Sequence, residues 1–255
     1  MNLYKYSSPP AFYPLAGKLV PWFAALAAIF GLIGLYLGLF AAPEDFQQGE
    51  VYRIIFIHVP TAWMAMFIYL VMAMYGVMAL SFNARLSAMM MEALAPTGAM
   101  FTVIALWTGA LWGRPTWGTY WAWDARMTST LILLFLYIGY LALINAIEDK
   151  KRADKAGALL VIVGSVNVPI IYFSVKWWNT LHQGASVSVT ASPKMAAIML
   201  WAMLAMAIAC WMYAIAVSLV RVRAIIRERE RVRGHGLGAA RIAGELSVSK
   251  AVVGS

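Results

Sequence analysis

The chain has 255 residues, of which 63% are hydrophobic and only 12% are charged, and its net charge is +9. Soluble domains carry roughly 25% charged residues, so this composition excludes an ordinary soluble domain and predicts an integral membrane protein. The single cysteine, Cys210, excludes an intramolecular disulfide and a CxxCH attachment motif. No GxxxxGKS or GxxxxGKT loop occurs, so ATP hydrolysis of that type must come from another subunit.

Six apolar stretches are long enough to cross a bilayer as helices, which takes about 20 residues because each backbone polar group must be satisfied within the segment. They lie at about 19 to 41, 57 to 81, 93 to 113, 126 to 147, 157 to 175 and 195 to 219. The first is longer than the apolar region of a cleaved signal peptide, and we expect it to be retained. The expected fold class is an all-α bundle of six transmembrane helices.

The distribution of cations predicts the orientation of the bundle. An even number of spans places both termini on one side, and the segments on that side hold 15 of the 20 Lys and Arg residues. Because cytoplasmic segments are enriched in Lys and Arg, we expect both termini to be cytoplasmic. The expected organisation is an N-terminal tail at 1 to 18, a membrane domain at 19 to 219, outer loops at 42 to 56, 114 to 125 and 176 to 194, and a basic tail at 220 to 255.

The basic tail reads RVRAIIRERERVR and then becomes rich in Gly and Ala. This pattern predicts a charged helical extension followed by a disordered end. Attraction to anionic lipid of the inner leaflet is the favoured role, and docking of a cytoplasmic partner is the alternative.

The second outer loop and its borders read WGRPTWGTYWAWDAR and contain Trp112, Trp117, Trp121 and Trp123 within twelve residues. If residues 116 to 124 form a short interfacial helix, Trp117 and Trp121 lie one turn apart on one face, with Asp124 beyond them. Such a flat apolar shelf suits a large planar ligand. The alternative is a tryptophan belt at the membrane surface, which anchors many membrane proteins.

Two of the three histidines lie on the outer side. His58 opens the second span in FIHVPTAW, and His182 lies in the third outer loop in KWWNTLHQG. Neutral imidazole is a common axial ligand of haem iron, and two imidazoles can bind the iron from opposite faces. Each histidine alone is more simply a hydrogen-bonded polar residue. His235, in the Gly-rich tail, is expected to be solvated.

A haem ligand also carries two propionates, which favour cations near the water boundary. Arg126 directly follows the tryptophan loop, and Arg53, Arg114 and Lys176 lie on the same side. Arg126 therefore has two interpretations, a propionate contact or an ion-pair partner of Asp124.

Three motifs resemble a known family. The run WGTYWAWDARMTSTLILLFLYIGYLAL resembles the WWD signature of haem-handling proteins in cytochrome c maturation. FIHVPTAW and VNVPIIYFSVKWWNTLHQGAS resemble the segments around two histidines in the six-span CcmC family. The motifs occur in the expected order, and the resemblance extends from about 20 to 219.

The resemblance implies that the outer face holds haem b non-covalently, with His58 and His182 as axial ligands. The residues that it implies in binding are His58, His182, Trp112, Trp117, Trp121, Trp123, Asp124, Arg126, Arg53, Trp177 and Trp178. It further implies transfer of haem to the chaperone CcmE, beside CcmB, CcmD and the ATPase CcmA, at the bacterial inner membrane, with no enzymatic activity in this chain.

Two other functions compete with this interpretation. A transporter that conducts haem or another substrate through the bundle favours ionisable residues near the middle of the spans, and the sequence has almost none there. A haem-dependent redox enzyme or quinone oxidoreductase usually needs more than one buried haem, and therefore more transmembrane histidines than this chain has.

Overall fold

The computed structural model describes residues 6–182 and 195–253, and the described chain is built of helices. The helices are α1 (Pro9–Tyr36), which continues as a π-helical turn (Leu37–Ala41), a 3-10 turn (Glu50–Ile54), α2 (Ile55–Phe82), α3 (Arg85–Trp117), α4 (Ala125–Ala146), α5 (Lys150–Gly164), α6 (Asn167–Trp177) and α7 (Ala197–Val253). Six segments are long and apolar enough to cross a membrane. The chain is an all-α integral membrane protein, as the sequence predicts.

The helices extend beyond the apolar stretches that mark them. The first span begins at Pro9 instead of near 19, because proline is well tolerated in the first turn of a helix. The third begins at Arg85 and ends only at Trp117. Hydropathy detects the part of a helix that lies in hydrocarbon, whereas the backbone hydrogen bonds continue into the polar ends.

The fifth span consists of two helices, α5 and α6, separated by Ser165 and Val166. Pro169 has no backbone N–H to donate to the carbonyl of Ser165, so a continuous helix loses a hydrogen bond at this point. The break positions the Asn167 amide, which donates to the backbone carbonyl of Ser129 at 2.8 Å and ties α6 to α4.

Aromatic residues fill the centre of the bundle, where α2 packs against α3 and α5 and meets long side chains of α4. Tyr69 and Tyr137 are fully buried, with ring centroids 5.0 Å apart. Tyr137 donates its hydroxyl hydrogen to the carbonyl of Ala65 at 2.8 Å. A side chain at Gly98 would collide with the Tyr137 ring, so glycine allows α3 to approach α4 here.

Helix α7 is tied to the bundle at the end opposite the tryptophan loop. Arg229 binds Asp154 of α5 at 2.7 Å and Glu92 of α3 at 2.5 Å. From there α7 continues as helix to Val253, so the expectation of a disordered end is wrong for the backbone. Ala, Leu, Arg and Glu in this segment are strong helix formers. The structure does not describe the side chains of Arg233 and of the residues from His235 onward. The predicted solvation of His235 therefore lies outside the described residues.

Candidate functional site

A small cavity of about 40 Å³ lies at the tryptophan-loop end of the bundle. His58 and His182 both line it, together with Arg126 of α4 and apolar side chains of α2, α3, α4 and α6. His58 is buried in the first turn of α2. The tertiary structure therefore brings together the two histidines that the sequence places more than 100 positions apart.

The two imidazole rings have a separation suited to one shared metal. Their centroids are 6.2 Å apart, with an angle of 44° between the ring planes. Nitrogens that bind one metal from opposite sides each lie about 2 Å from it and hence about 4 Å from one another. Each centroid lies behind its own nitrogen, so a centroid separation of 6.2 Å accommodates this arrangement.

The hydrogen bonds of Thr108 assign the tautomer of His58. The Thr108 hydroxyl donates to the carbonyl of Ile104 at 2.6 Å, so it accepts from the Nδ1–H of His58, 3.1 Å away. With the proton on Nδ1, the lone pair of Nε2 is free to bind a metal. Gly109 makes room for this ring, because a Cβ there would lie 2.9 Å from Cε1 of His58.

His182 is a half-buried histidine with one ring nitrogen left unsatisfied. Its ring packs against Trp117 with centroids 5.1 Å apart, and its Nδ1 is buried without a hydrogen-bond partner among the described residues. Burial lowers the pKa of His182 to about 3, and the nearby Arg126 and His58 act in the same direction. The imidazole is therefore neutral at pH 7, which is the form that ligates metals.

Asp124 is a structural connector between the tryptophan loop and the third outer loop. Its carboxylate caps α4 by accepting from the backbone N–H of Met127 at 2.8 Å, and it also accepts from the N–H of Leu181 at 3.2 Å. Arg126 forms no ion pair with Asp124 in the described chain and lines the cavity instead. The Asp124 carboxylate acts on the guanidinium through its charge without direct contact, and the propionate contact stays a prediction.

The tryptophan segment does not form the short helix considered for residues 116 to 124. Helix α3 runs to Trp117 and ends at Gly118, whose positive φ of 79° favours glycine. The following residues form a loop held by hydrogen bonds between Thr119 and Trp121. Trp117 and Trp121 therefore do not lie on one helical face, and Trp121 instead packs edge-on against Trp123 at 5.4 Å.

Three further predicted aromatic residues are largely exposed at this end of the molecule. Trp123 is 77% exposed, Trp177 56% and Trp178 50%. Trp177 stacks on Phe173 with centroids 5.1 Å apart and meets Trp178 edge-on. These side chains offer apolar surface that the protein itself does not cover.

Trp112 lies beside a histidine of the cavity, whereas Arg53 lies away from it. The Trp112 ring lies 5.7 Å from that of His58, and its indole N–H donates to the side-chain oxygen of Gln48 at 2.8 Å. The Arg53 guanidinium pairs with Glu50 and donates to the carbonyls of Gly38 and Ala42. Arg53 thus holds the end of α1 and does not line the cavity.

Sequence reasoning missed Thr108, Gly109 and Gln48. Thr108 and Gly109 lie inside an apolar span, where Thr and Gly are common, and nothing local indicates that they face His58. Gln48 lies in an outer loop whose only local signal is polarity. All three have their roles because separate segments meet at one end of the bundle.

Comparison with known proteins assigns the family. The family model CcmC, described as "Heme exporter protein C", matches residues 2–235. The chain is also 46% identical over 232 residues to "Heme exporter protein C" of Bradyrhizobium diazoefficiens, covering 91% of this chain and 88% of that protein. This chain belongs to the CcmC family.

Two further relatives support the same family assignment. "Heme exporter protein C" of Escherichia coli strain K12 is 44% identical over 201 residues, covering 78% of this chain and 82% of the relative. The "Putative cytochrome c biosynthesis ccmC-like mitochondrial protein" of Marchantia polymorpha is 46% identical over 167 residues, covering 66% and 68%. The match to the CcmC model includes all six spans and both histidines of the cavity.

Proposed function

We propose that this chain binds haem b non-covalently at its outer face, with His58 and His182 as axial ligands, and passes it on for cytochrome c maturation. The observation that carries the proposal is the pair of imidazoles that line one cavity with their ring centroids 6.2 Å apart. The names of the relatives, which refer to haem export and to cytochrome c biosynthesis, support the same function.

The ligand set favours haem over a bare metal ion. Among the described residues, no group of three or more His, Cys, Asp or Glu side chains is arranged to hold a metal ion. Haem brings four equatorial nitrogens of its own and needs only one or two axial ligands from the protein. Two imidazoles in a cavity lined mainly by apolar side chains match that requirement.

Other side chains have complementary roles in this proposal. Arg126 lies in the cavity and supplies a positive charge for a propionate. Trp112 and Trp117 pack against the two ligand rings, and Trp121, Trp123, Trp177 and Trp178 supply apolar surface for the macrocycle. Asp124 connects α4 to the backbone beside His182. Arg53 remains a predicted propionate contact, although its present partners belong to α1 and the first loop.

The small cavity implies that the site opens to receive its ligand. A volume of about 40 Å³ accommodates the meeting point of the axial ligands but not a macrocycle. We infer that the segment 178–182 moves outward to admit haem. Among the described residues, this segment is held by the hydrogen bond from the Leu181 N–H to Asp124 and by the packing of the His182 ring against Trp117, and the movement must break both.

We also propose the assembly and topology that the family resemblance implies. Haem is delivered to CcmE, and this chain works beside CcmB, CcmD and the ATPase CcmA without enzymatic activity of its own. Both termini are cytoplasmic in the bacterial inner membrane, with tails at 1 to 18 and 220 to 255 and the haem site facing the periplasm. The excess of cations on the tail side supports this orientation.

Spectroscopy of the purified full-length chain tests the ligand assignment. We expect a Soret band typical of six-coordinate haem in the parent protein. His58→Ala and His182→Ala should each yield a five-coordinate or water-ligated spectrum and weaker haem retention, because one strong ligand is lost. Added imidazole should partly restore the six-coordinate spectrum. His235→Ala is the control and should leave the spectrum unchanged. Unaltered spectra in both cavity variants would contradict the assignment.

A further inference from the structure

A second site lies away from the histidine cavity, in a groove of about 580 Å³ between α1 and α7. Its lining is almost entirely apolar and small, with Val20 and Ala24 on α1 and Ala216 and Val220 on α7. The two helices run antiparallel, so Val20 and Val220 lie at the same end of the groove, which is the end nearer the chain termini. The groove is open on the lipid side of the bundle, where α1 is largely exposed.

Two arginines lie next to this end of the groove. Arg221 directly follows Val220 and donates to the Thr97 hydroxyl at 2.5 Å. Arg223 lies over the ring of Tyr13, with its guanidinium carbon 4.5 Å from the ring centroid. Its Nε is buried without a hydrogen-bond partner among the described residues. Both side chains are half-buried.

The two arginines lack the carboxylate partners that another arginine of the same helix has. Arg229 binds Glu92 and Asp154, whereas neither Arg221 nor Arg223 forms an ion pair in the described part of the chain. Partly burying two guanidinium groups without a counter-charge is costly. An external anion at this position would offset that cost.

The position along α7 identifies the class of anion. From Ala197 to Val220 a helix rises about 35 Å, slightly more than the hydrocarbon thickness of about 30 Å. Arg221 and Arg223 therefore lie at the level of the lipid headgroups, with the apolar groove extending from them into the hydrocarbon. A phosphodiester at one end and an acyl chain along the groove complement these two features.

We propose that this groove binds one anionic phospholipid, with an acyl chain between α1 and α7 and the phosphate at Arg221 and Arg223. The site is independent of the proposed haem function. It stabilises the packing of α1, whose helix contacts lie mainly on α7.

Native mass spectrometry of the full-length chain tests the headgroup contact, using micelles that contain equal amounts of phosphatidylglycerol and phosphatidylcholine. We expect the parent protein to retain phosphatidylglycerol preferentially. Arg221→Gln combined with Arg223→Gln should lower that preference on the order of tenfold or more. Lys150→Gln combined with Arg152→Gln removes the same charge from exposed positions on α5 and should leave the preference unchanged. An equal loss in this control, or no loss in the arginine variant, would overturn the proposal.

A second measurement keeps both arginines in place. Ala24→Phe fills the groove at an exposed position and should reduce retention of both lipids. A photo-crosslinking residue at position 24, activated in native membranes, should form a phospholipid adduct. A polypeptide adduct would show that a partner helix covers the groove and would overturn the lipid assignment, as would a parent protein that retains no phospholipid.

Discussion

A single hydroxyl in an apolar span sets the chemistry of His58. Thr108 has one hydrogen to donate, and the carbonyl of Ile104 at 2.6 Å takes it. The contact with His58 at 3.1 Å must then run from imidazole to hydroxyl, which leaves Nε2 unprotonated. Partners of this kind tune metal-binding histidines through ring orientation and basicity. Thr108 is thus a positioning residue for the proposed ligand.

Thr108→Val tests this role because valine has nearly the same shape and lacks the hydroxyl. We expect haem affinity to fall about 10- to 100-fold, with a smaller six-coordinate fraction in the absorption spectrum. Thr108→Ser keeps the acceptor and should retain most of both properties. If the valine and serine variants have the parent spectrum and affinity, the hydroxyl has no role in ligation.

The low pKa of His182 predicts that haem affinity changes little with pH near neutrality. An exposed imidazole with a pKa near 6.5 is half protonated at that pH, whereas His182 has a pKa of about 3. Haem titrations should therefore give nearly constant affinity between pH 8 and pH 6. A steep loss of affinity centred near pH 6.5 would contradict burial of the ring.

The lowered pKa of His182 also makes the free energy of unfolding depend on pH. Between about pH 6.5 and pH 3 the unfolded chain binds a proton at position 182 that the folded chain does not bind. This group therefore lowers the free energy of unfolding as the pH falls through that range and has no such effect above it.

At the scale of elements, the tryptophan segment combines a helix end with an irregular loop. Trp117, the last residue of α3, packs against His182, while Trp121 and Trp123 form a separate pair after the turn at Gly118. A uniform membrane belt needs no such contact with a histidine of the cavity. The geometry therefore favours ligand binding over anchoring for Trp117 in particular.

Replacing Trp117, Trp121 and Trp123 together with Ala should leave membrane insertion intact and lower haem occupancy, measured as Soret absorbance per protein. The physical reason is the loss of stacking surface and of support for the His182 ring. The matched control replaces three exposed tryptophans that lie within spans and outside the tryptophan loop, Trp22, Trp107 and Trp201. A site variant with full haem occupancy and reduced expression would identify the loop as an anchor.

At the scale of the whole molecule, the proposed function depends on which end of the bundle faces outward. The cavity and the Arg229 ion pairs lie at opposite ends, because α3 begins near Glu92 and ends at the tryptophan loop. Reporter fusions at Lys151 and in the C-terminal tail should score cytoplasmic, and a fusion at Gly118 should score periplasmic. The reverse pattern would place the histidines on the cytoplasmic side and contradict delivery to a periplasmic acceptor.

The sequence by itself determined the fold class, the six spans and the shared end of His58, His182 and the tryptophan loop. These properties depend on local hydrophobicity and on the parity of successive crossings, and both can be counted along the chain. The sequence also identified Asp124 and Arg126 as important positions. It did not distinguish their contacts, since an ion pair and separate partners fit the same spacing.

Only the tertiary structure decided which side chains face one another. The approach of His58 to His182, the bond from His58 to Thr108, and the packing of Trp117 on His182 join residues of different helices and loops. Such contacts depend on how each helix is rotated and tilted against its neighbours. In this chain the apolar stretches are nearly hydrophobic all round, so the pattern of each span contains little information about its rotation. The rotation of each span is set by its packing against the neighbouring helices.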